Sequence, residues 1–303
     1  MLMDAVDSYL AVRRAVGFEL EVPEYLLRSF ARSADERGDT HVCTETAIDW
    51  ASQAPSLGQR DHRLKTVMRM ARHLQIEDDR HQVPPSDVFG FTKTRRVPNI
   101  FSQTEINRLI EAAAQLGPPG SLRPRTYSTL FALLSVTGLR ISEALSLKLK
   151  DVIADGLLIR NTKFHKSRLV PLHETTVAGL GRYIARRKRV AASDDHLFIS
   201  LRGSGLDRSG VQWTFRILLK TIGMDPPPGG RRPRIHDIRH SFAVRSLEAC
   251  PEGRDNVSRH MLALSTYMGH SNITDTFWYL EVTPQLMRDI AGACEDLFAG
   301  GGS

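Results

Sequence analysis

Six polar side chains in the C-terminal two-thirds of this 303-residue chain are of types that can act together on a phosphate: Arg140, Lys163, His236, Arg239, His270 and Tyr279. Arg140 follows the glycine of TGLRISEAL, and Glu143, three residues on, is placed to brace the arginine or the turn by hydrogen bonds. His236 and Arg239 stand i, i+3 in HDIRH, on one face of a first helical turn whose N–H groups favour an anion. In MGHSNITDTFWYL, His270 follows a glycine and Tyr279 comes nine residues later. Lys163 occupies the tip of an expected hairpin in NTKFHKSRLVPL. Each segment alone has a plainer explanation: a surface arginine after a turn, a basic loop entering a helix, a core aromatic, a lysine in an exposed turn. The other tyrosines, Tyr9, Tyr25, Tyr127, Tyr183 and Tyr267, fit core or boundary positions. Taken together, two arginines, two histidines, a lysine and a tyrosine are the equipment of metal-free phosphoryl transfer. The chain has neither a GxxxxGK[ST] loop nor a cluster of acidic magnesium ligands.

These residues need elements to hold them. Up to residue 82 the apolar spacing is helical and predicts four short helices, one of them capped at Thr44. Residues 83–99 lose periodicity and gain proline, glycine and basic residues, as a linker does. Ser102 and Glu105 form a capping box preceded by a hydrophobic staple, opening a helix to about Ala114. The apolar run TYSTLFALLSV predicts a buried helix stopped by Gly138. Beta-like runs at 156–160 and 169–172 predict a small antiparallel sheet. Helical patterns return at 174–189, 209–222, 237–249, 254–268, 274–280 and 283–298. The fold class is therefore mainly α with a small antiparallel β-sheet, in two domains: 1–82 and 100–298, with 299–303 as a tail.

The net charge of +7 favours an acidic partner. Residues 1–100 carry 14 basic and 15 acidic side chains, so the surplus lies beyond them. Within the first part, Arg60, Arg63, Lys65, Arg69 and Arg72 cluster on one helical pattern, which suits a phosphate backbone and equally a solvated helix face. Arg95 and Arg96 in the linker and Lys166 in the hairpin are further candidates for DNA contact. Cys43, Cys250 and Cys294 are too scattered for a disulfide framework or a zinc site. No apolar run is long enough to span a bilayer, and the first residues carry acids before any base, so a cytoplasmic protein is expected.

The motifs TGLRISEALSL, TK-x-x-K-x-R-x-VPL, HDIRHSFA and GHSNITDTFWY, in this order, resemble the tyrosine recombinase (phage integrase) family over about residues 100–285. The wording around Tyr279 also resembles transposon-borne integrases. The resemblance implies a two-domain, C-shaped clamp on double-stranded DNA, residues 1–82 being a helical core-binding domain of SAM-like type. It implies a site-specific recombinase acting in integration, excision or transposition, as a tetramer on DNA with inverted repeats and with no cofactor or metal. It assigns Tyr279 as nucleophile, Arg140 and Arg239 as the phosphate clamp with His270 as a further donor, His236 as base and Lys163 as general acid. Residues 283–298, with Leu286, Ile290, Cys294 and Leu297 along one face, are expected to dock on a neighbouring protomer. A type IB topoisomerase and a non-catalytic DNA-binding regulator are the alternatives.

Overall fold

Apolar side chains at three- and four-residue spacing give the first part of the chain four helices in the computed structural model of the protein: α1 (Leu2–Ala15), α2 (Glu21–Asp35), α3 (Thr44–Ser52) and α4 (Leu57–Leu74). The structure describes residues 2–91, 97–160, 167–192, 194–226, 230–249 and 254–269, together with Asn272, Thr276 and Tyr279. It divides into two compact units, Met1–Arg96 and Val97–Ser303.

In the first unit, Phe30 and Trp50 are buried and meet edge to face at 5.5 Å, surrounded by Val6, Leu27, Leu64 and Met70. Val83 and Phe89, which the sequence places in a linker, pack against this core. The residues leading into this segment are fastened by two hydrogen bonds: Gln82 N–H donates to the Val42 carbonyl, and Val42 N–H donates to the His81 side chain, Nδ1, at 3.1 Å. Thr44 is the first residue of α3 rather than its cap; the cap position falls to Cys43, which makes no side-chain bond. The Thr44 N–H is met instead by Gln82 Oε1 at 2.8 Å, so this helix start is satisfied from a distant residue. Tyr25, expected in the core or at its boundary, is exposed, because the buried stripe of α2 runs through Leu26, Leu27, Phe30 and Ala31.

The second unit opens with α5 (Gln103–Ala114), whose Ser102–Glu105 capping box forms as expected. Next come α6 (Arg123–Thr137) and the short α7 (Ile141–Ser146). Then follow the strands β1 (Val152–Ile153), β2 (Gly156–Ile159) and β3 (Arg168–Val170). They pair antiparallel in the order β1-β2-β3, with Leu157 opposite Val170 and Ile159 opposite Arg168. Helices α8 (Glu174–Arg187), α9 (Arg208–Thr221), α10 (Ile235–Glu248) and α11 (Arg254–Met268) complete the described α-helices. Helix α6 is central and packs against α5, α8 and α10. Phe101, Phe131 and Phe215 lie fully buried at this centre, with ring centroids 5.7 to 6.4 Å apart. Among the described residues, no helix is long and apolar enough to cross a membrane.

Gly138 ends α6 in the left-handed conformation, φ +59°, and its N–H donates to the Leu134 carbonyl. That turn aims Arg140. A β-carbon at residue 138 would overlap the ring of Phe242 on α10. Gly138→Ala therefore combines backbone strain with a clash, and is expected to cost more than ~1–3 kcal/mol in urea unfolding. Repeating the substitution in a Phe242→Ala background should leave only the backbone part; an equal cost in both backgrounds would contradict the clash.

Candidate active site

Glu143 anchors the site. It lies in the first turn of α7, and the backbone N–H of Arg140, at the cap position, donates to its Oε2 at 2.9 Å. The Arg140 Nη1 donates to Oε1 at 2.8 Å. From the other side Arg168 closes a fork, Nη1 to Oε1 at 3.0 Å and Nη2 to Oε2 at 2.9 Å. Arg168 reaches inward because it shares its strand face with buried Val170, while Leu169 points to solvent. Burial pushes the Glu143 carboxyl up, but the bonds from Arg168 and the Arg140 N–H, together with the charge of Arg168, outweigh burial and hold it at about 2.

Three guanidiniums then converge on the C-terminal end of α11. Arg168 Nε donates to the Tyr267 carbonyl at 3.0 Å, Arg239 Nη2 to that of Met268 at 2.8 Å, and Arg140 Nη2 to that of Gly269 at 3.1 Å. A helix end leaves its last carbonyls without partners inside the helix, and it favours cations. Arg239 also donates through Nη1 to the Gly138 carbonyl at 2.6 Å, so the two glycine turns are linked through one side chain. Gly269 has φ +66°, and a β-carbon there would lie 2.7 Å from Arg168 Nη1, so only glycine admits the arginine. Arg239 is 2% exposed; burial first, then the charge of Arg140, lowers it to about 10.

Asp237 fixes the start of α10, accepting the Arg234 N–H at 2.8 Å and the Arg234 Nη2 at 2.9 Å. His236 and Arg239 leave this first turn differently: Arg239 is buried, while His236 keeps solvent access. Crowding by protein, followed by the charges of Arg239 and Arg234, lowers His236 to about 4. Its ring meets that of His240, one turn on, edge to face at 4.7 Å. His240 Nδ1 lies 3.1 Å from the Tyr279 hydroxyl. Tyr279 is 3% exposed, and its phenol interacts electrostatically with Arg239.

The structure thus brings Arg140, Glu143, Arg239, His236 and Tyr279 together around the end of α11. Lys163, Lys166, His270, Arg95, Arg96 and residues 283–298 lie outside the described residues. Sequence reasoning passed over Arg168 and His240, although both stand in quoted motifs: the arginine of TK-x-x-K-x-R and the second histidine of HDIRH. In the first unit, Arg60 is tied to the Ala54 carbonyl at 2.8 Å, Arg63 covers the Trp50 ring, and Lys65 pairs with Asp61. Arg69 and Arg72 remain exposed on α4. Among the described residues, His41, Asp78 and His81 bring possible metal-ligand atoms within 4.8 Å of one another. Arg80 already chelates both oxygens of Asp78, and Val42 N–H occupies His81 Nδ1, so this cluster reads as a fastening of the fold.

The model of the phage integrase family matches residues 99–285. A Sinorhizobium fredii protein carrying the name integrase/recombinase y4rB is 41% identical, covering 94% of each chain. The tyrosine recombinase XerD of Halalkalibacterium halodurans is 30% identical, over 65% of this chain and 62% of its own. In fold, the chain is similar to the Tn1549 transposon integrase in complex with transposon right end DNA. That likeness has a TM-score of 0.63 at 20% identity and covers 92% of this chain and 94% of that one.

The depressed Glu143 gives a testable sign. Its ordinary value of 4.5 falls to about 2 on folding, so the ionised carboxylate stabilises the fold fully above pH 4.5 and progressively less toward pH 2. Glu143→Gln is expected to lose about 3 kcal/mol at neutral pH in urea unfolding, with the gap from wild type narrowing across that interval. A gap that stayed constant would show that the arginines do not hold the carboxylate.

Proposed function

The chain belongs to the phage integrase family of tyrosine-type site-specific DNA recombinases, and on that premise we propose that it cuts and rejoins DNA through a 3′-phosphotyrosine link at Tyr279. A phosphodiester carries one negative charge, and a second develops as the pentacoordinate state forms. The observation that carries the reading is charge: among the described residues, Arg140, Arg168 and Arg239 surround one carboxylate, Glu143, an excess of two positive charges beside Tyr279. Guanidiniums supply this neutralisation with fixed, forked donors. Of the three, Arg140 is the most open, with its side chain 36% exposed, and with Arg239 it forms the clamp. His270, next in the chain after Gly269, is the further donor.

The Tyr279 oxygen attacks phosphorus, the P–O5′ bond breaks, and Lys163 gives the departing 5′-hydroxyl its proton. A histidine of the HDIRH turn takes the phenolic proton; the family resemblance assigns this to His236. Because the phosphate ester is kept as a phosphotyrosine, a 5′-hydroxyl from another strand reverses the attack, rejoining DNA and freeing Tyr279. No nucleotide cofactor is consumed. Two duplexes cut on both strands need four tyrosines, hence a tetramer on inverted repeats, with residues 283–298 docking between protomers. Residues 1–82, through Arg69 and Arg72 on the exposed face of α4, and the connector, through Arg95 and Arg96, follow the backbone of the duplex; Lys166 does so beside Lys163. The likeness to a transposon integrase and to an integrase/recombinase supports a role in moving a mobile element, within the cytoplasm.

Nicked suicide duplexes built from inverted repeats flanking the gene should trap a covalent protein–DNA adduct. Tyr279→Phe should abolish it while DNA binding persists, and Arg239→Ala should slow its formation roughly 10²–10³-fold. Relaxation of plasmid lacking any special site would favour a topoisomerase, and binding without adduct a regulator. Affinity should also fall steeply between low and physiological salt, since each phosphate contact releases a counterion; a flat salt response would count against an extended backbone clamp.

A further inference from the structure

We infer that His240, rather than His236, receives the proton of Tyr279. This rests on the recombinase reading and names a residue that reading leaves out. His236 and His240 are one turn apart on α10, so they share a face. Along that face the order is His236 at the surface, His240 within, and Tyr279 beyond it. Of the two histidines it is His240 that contacts Tyr279, its Nδ1 lying 3.1 Å from the phenolic oxygen, within the reach a base needs. His236 meets the His240 ring edge to face, an arrangement that packs one ring against the other.

The chemistry balances. A neutral His240 protonated at Nε2 offers its Nδ1 lone pair to the Tyr279 hydroxyl. As the oxygen bonds to phosphorus, its proton passes to Nδ1 and the imidazole becomes an imidazolium. Arg239, adjacent in sequence and coupled to the phenol, favours negative charge on that oxygen as the proton leaves. When a 5′-hydroxyl later attacks the phosphotyrosine and Tyr279 departs, the same imidazolium returns the proton. Burial of both rings, 8% and 3% exposed, limits water as a competing base.

His240→Gln keeps a hydrogen-bonding side chain without a titrating nitrogen. In single-turnover cleavage of the suicide duplex it should lower the rate by roughly 10²–10⁴-fold. Replacing Tyr279 by a fluorinated tyrosine, whose phenol is more acidic, should shrink the gap between His240→Gln and His240-containing protein to below about tenfold, because an acidic nucleophile depends less on its base. A merely structural histidine would leave that gap unchanged. Loss and rescue appearing in His236→Gln instead would overturn the inference. The pair is also testable without DNA, by NMR of tyrosine labelled with ¹³C at Cζ. The Tyr279 signal should shift in His240→Gln and stay in place in His236→Gln. Equal signals in wild type and His240→Gln would sink the assignment, whereas absence of adduct in wild type with the NMR shift intact would sink the recombinase reading alone.

Discussion

The second unit depends on one carboxylate being shared by two arginines. Glu143 is buried with both oxygens bonded, and without it Arg140 and Arg168 would bring two like charges together beside a third, Arg239. Desolvating an ion costs several kcal/mol unless geometry and hydrogen bonds offset it. Here the offset is nearly complete for Glu143, and for the arginines it comes from the carbonyls of a helix end. A helix C-terminus supplies partial negative charge without a proton to lose and without adding a second carboxylate. Among the described residues, the result is a site in which three guanidiniums surround one carboxylate.

Arg239 shows the consequence most clearly. Among the described residues its bonds go to the neutral carbonyls of Gly138 and Met268, which fix its position without a carboxylate partner. A carboxylate in that place would cancel the charge on which the proposed phosphate clamp relies. Preorganised donors of this kind need little rearrangement when charge develops, which is where electrostatic catalysis gains most. Glycine at 138 and 269 allows the approach: one turn fits beneath Phe242, the other beneath Arg168.

Local features were readable from the sequence because their causes are local. The Ser102–Glu105 capping box, the Gly138 stop and the bracing of Arg140 by Glu143 all act within three or four residues. What escaped depends on contacts across the chain. Arg168 meets Glu143 at a separation of 25 residues, and His240 meets Tyr279 at 39. In HDIRH, spacing favours His236 because it opens the helix beside an anion-binding turn, yet spacing carries no information on which ring faces an aromatic far downstream. The intramolecular partners of the basic run on α4 were equally hidden from spacing. Arg60, Arg63 and Lys65 are bases by type, but a carbonyl, an indole and an aspartate within the unit occupy them. The start of α3 failed as a prediction of local capping because Gln82 supplied the acceptor from elsewhere.

Helix α11 joins the three arginines to Tyr279. Its last carbonyls hold the three arginines, and its apolar side, through Met261, Leu264 and Met268, belongs to the cluster in which Tyr279 is buried with Val244 and Leu247 of α10. The ring of Tyr279 is thus held by packing, while its hydroxyl alone faces the polar side. A shift of α11 along its axis would break the arginine–carbonyl bonds and at the same moment move the surface against which Tyr279 rests. Closely packed interiors respond to such shifts as units rather than by gradual deformation. Convergence of the three arginines and placement of the phenol are therefore one structural event, set by the position of a single helix.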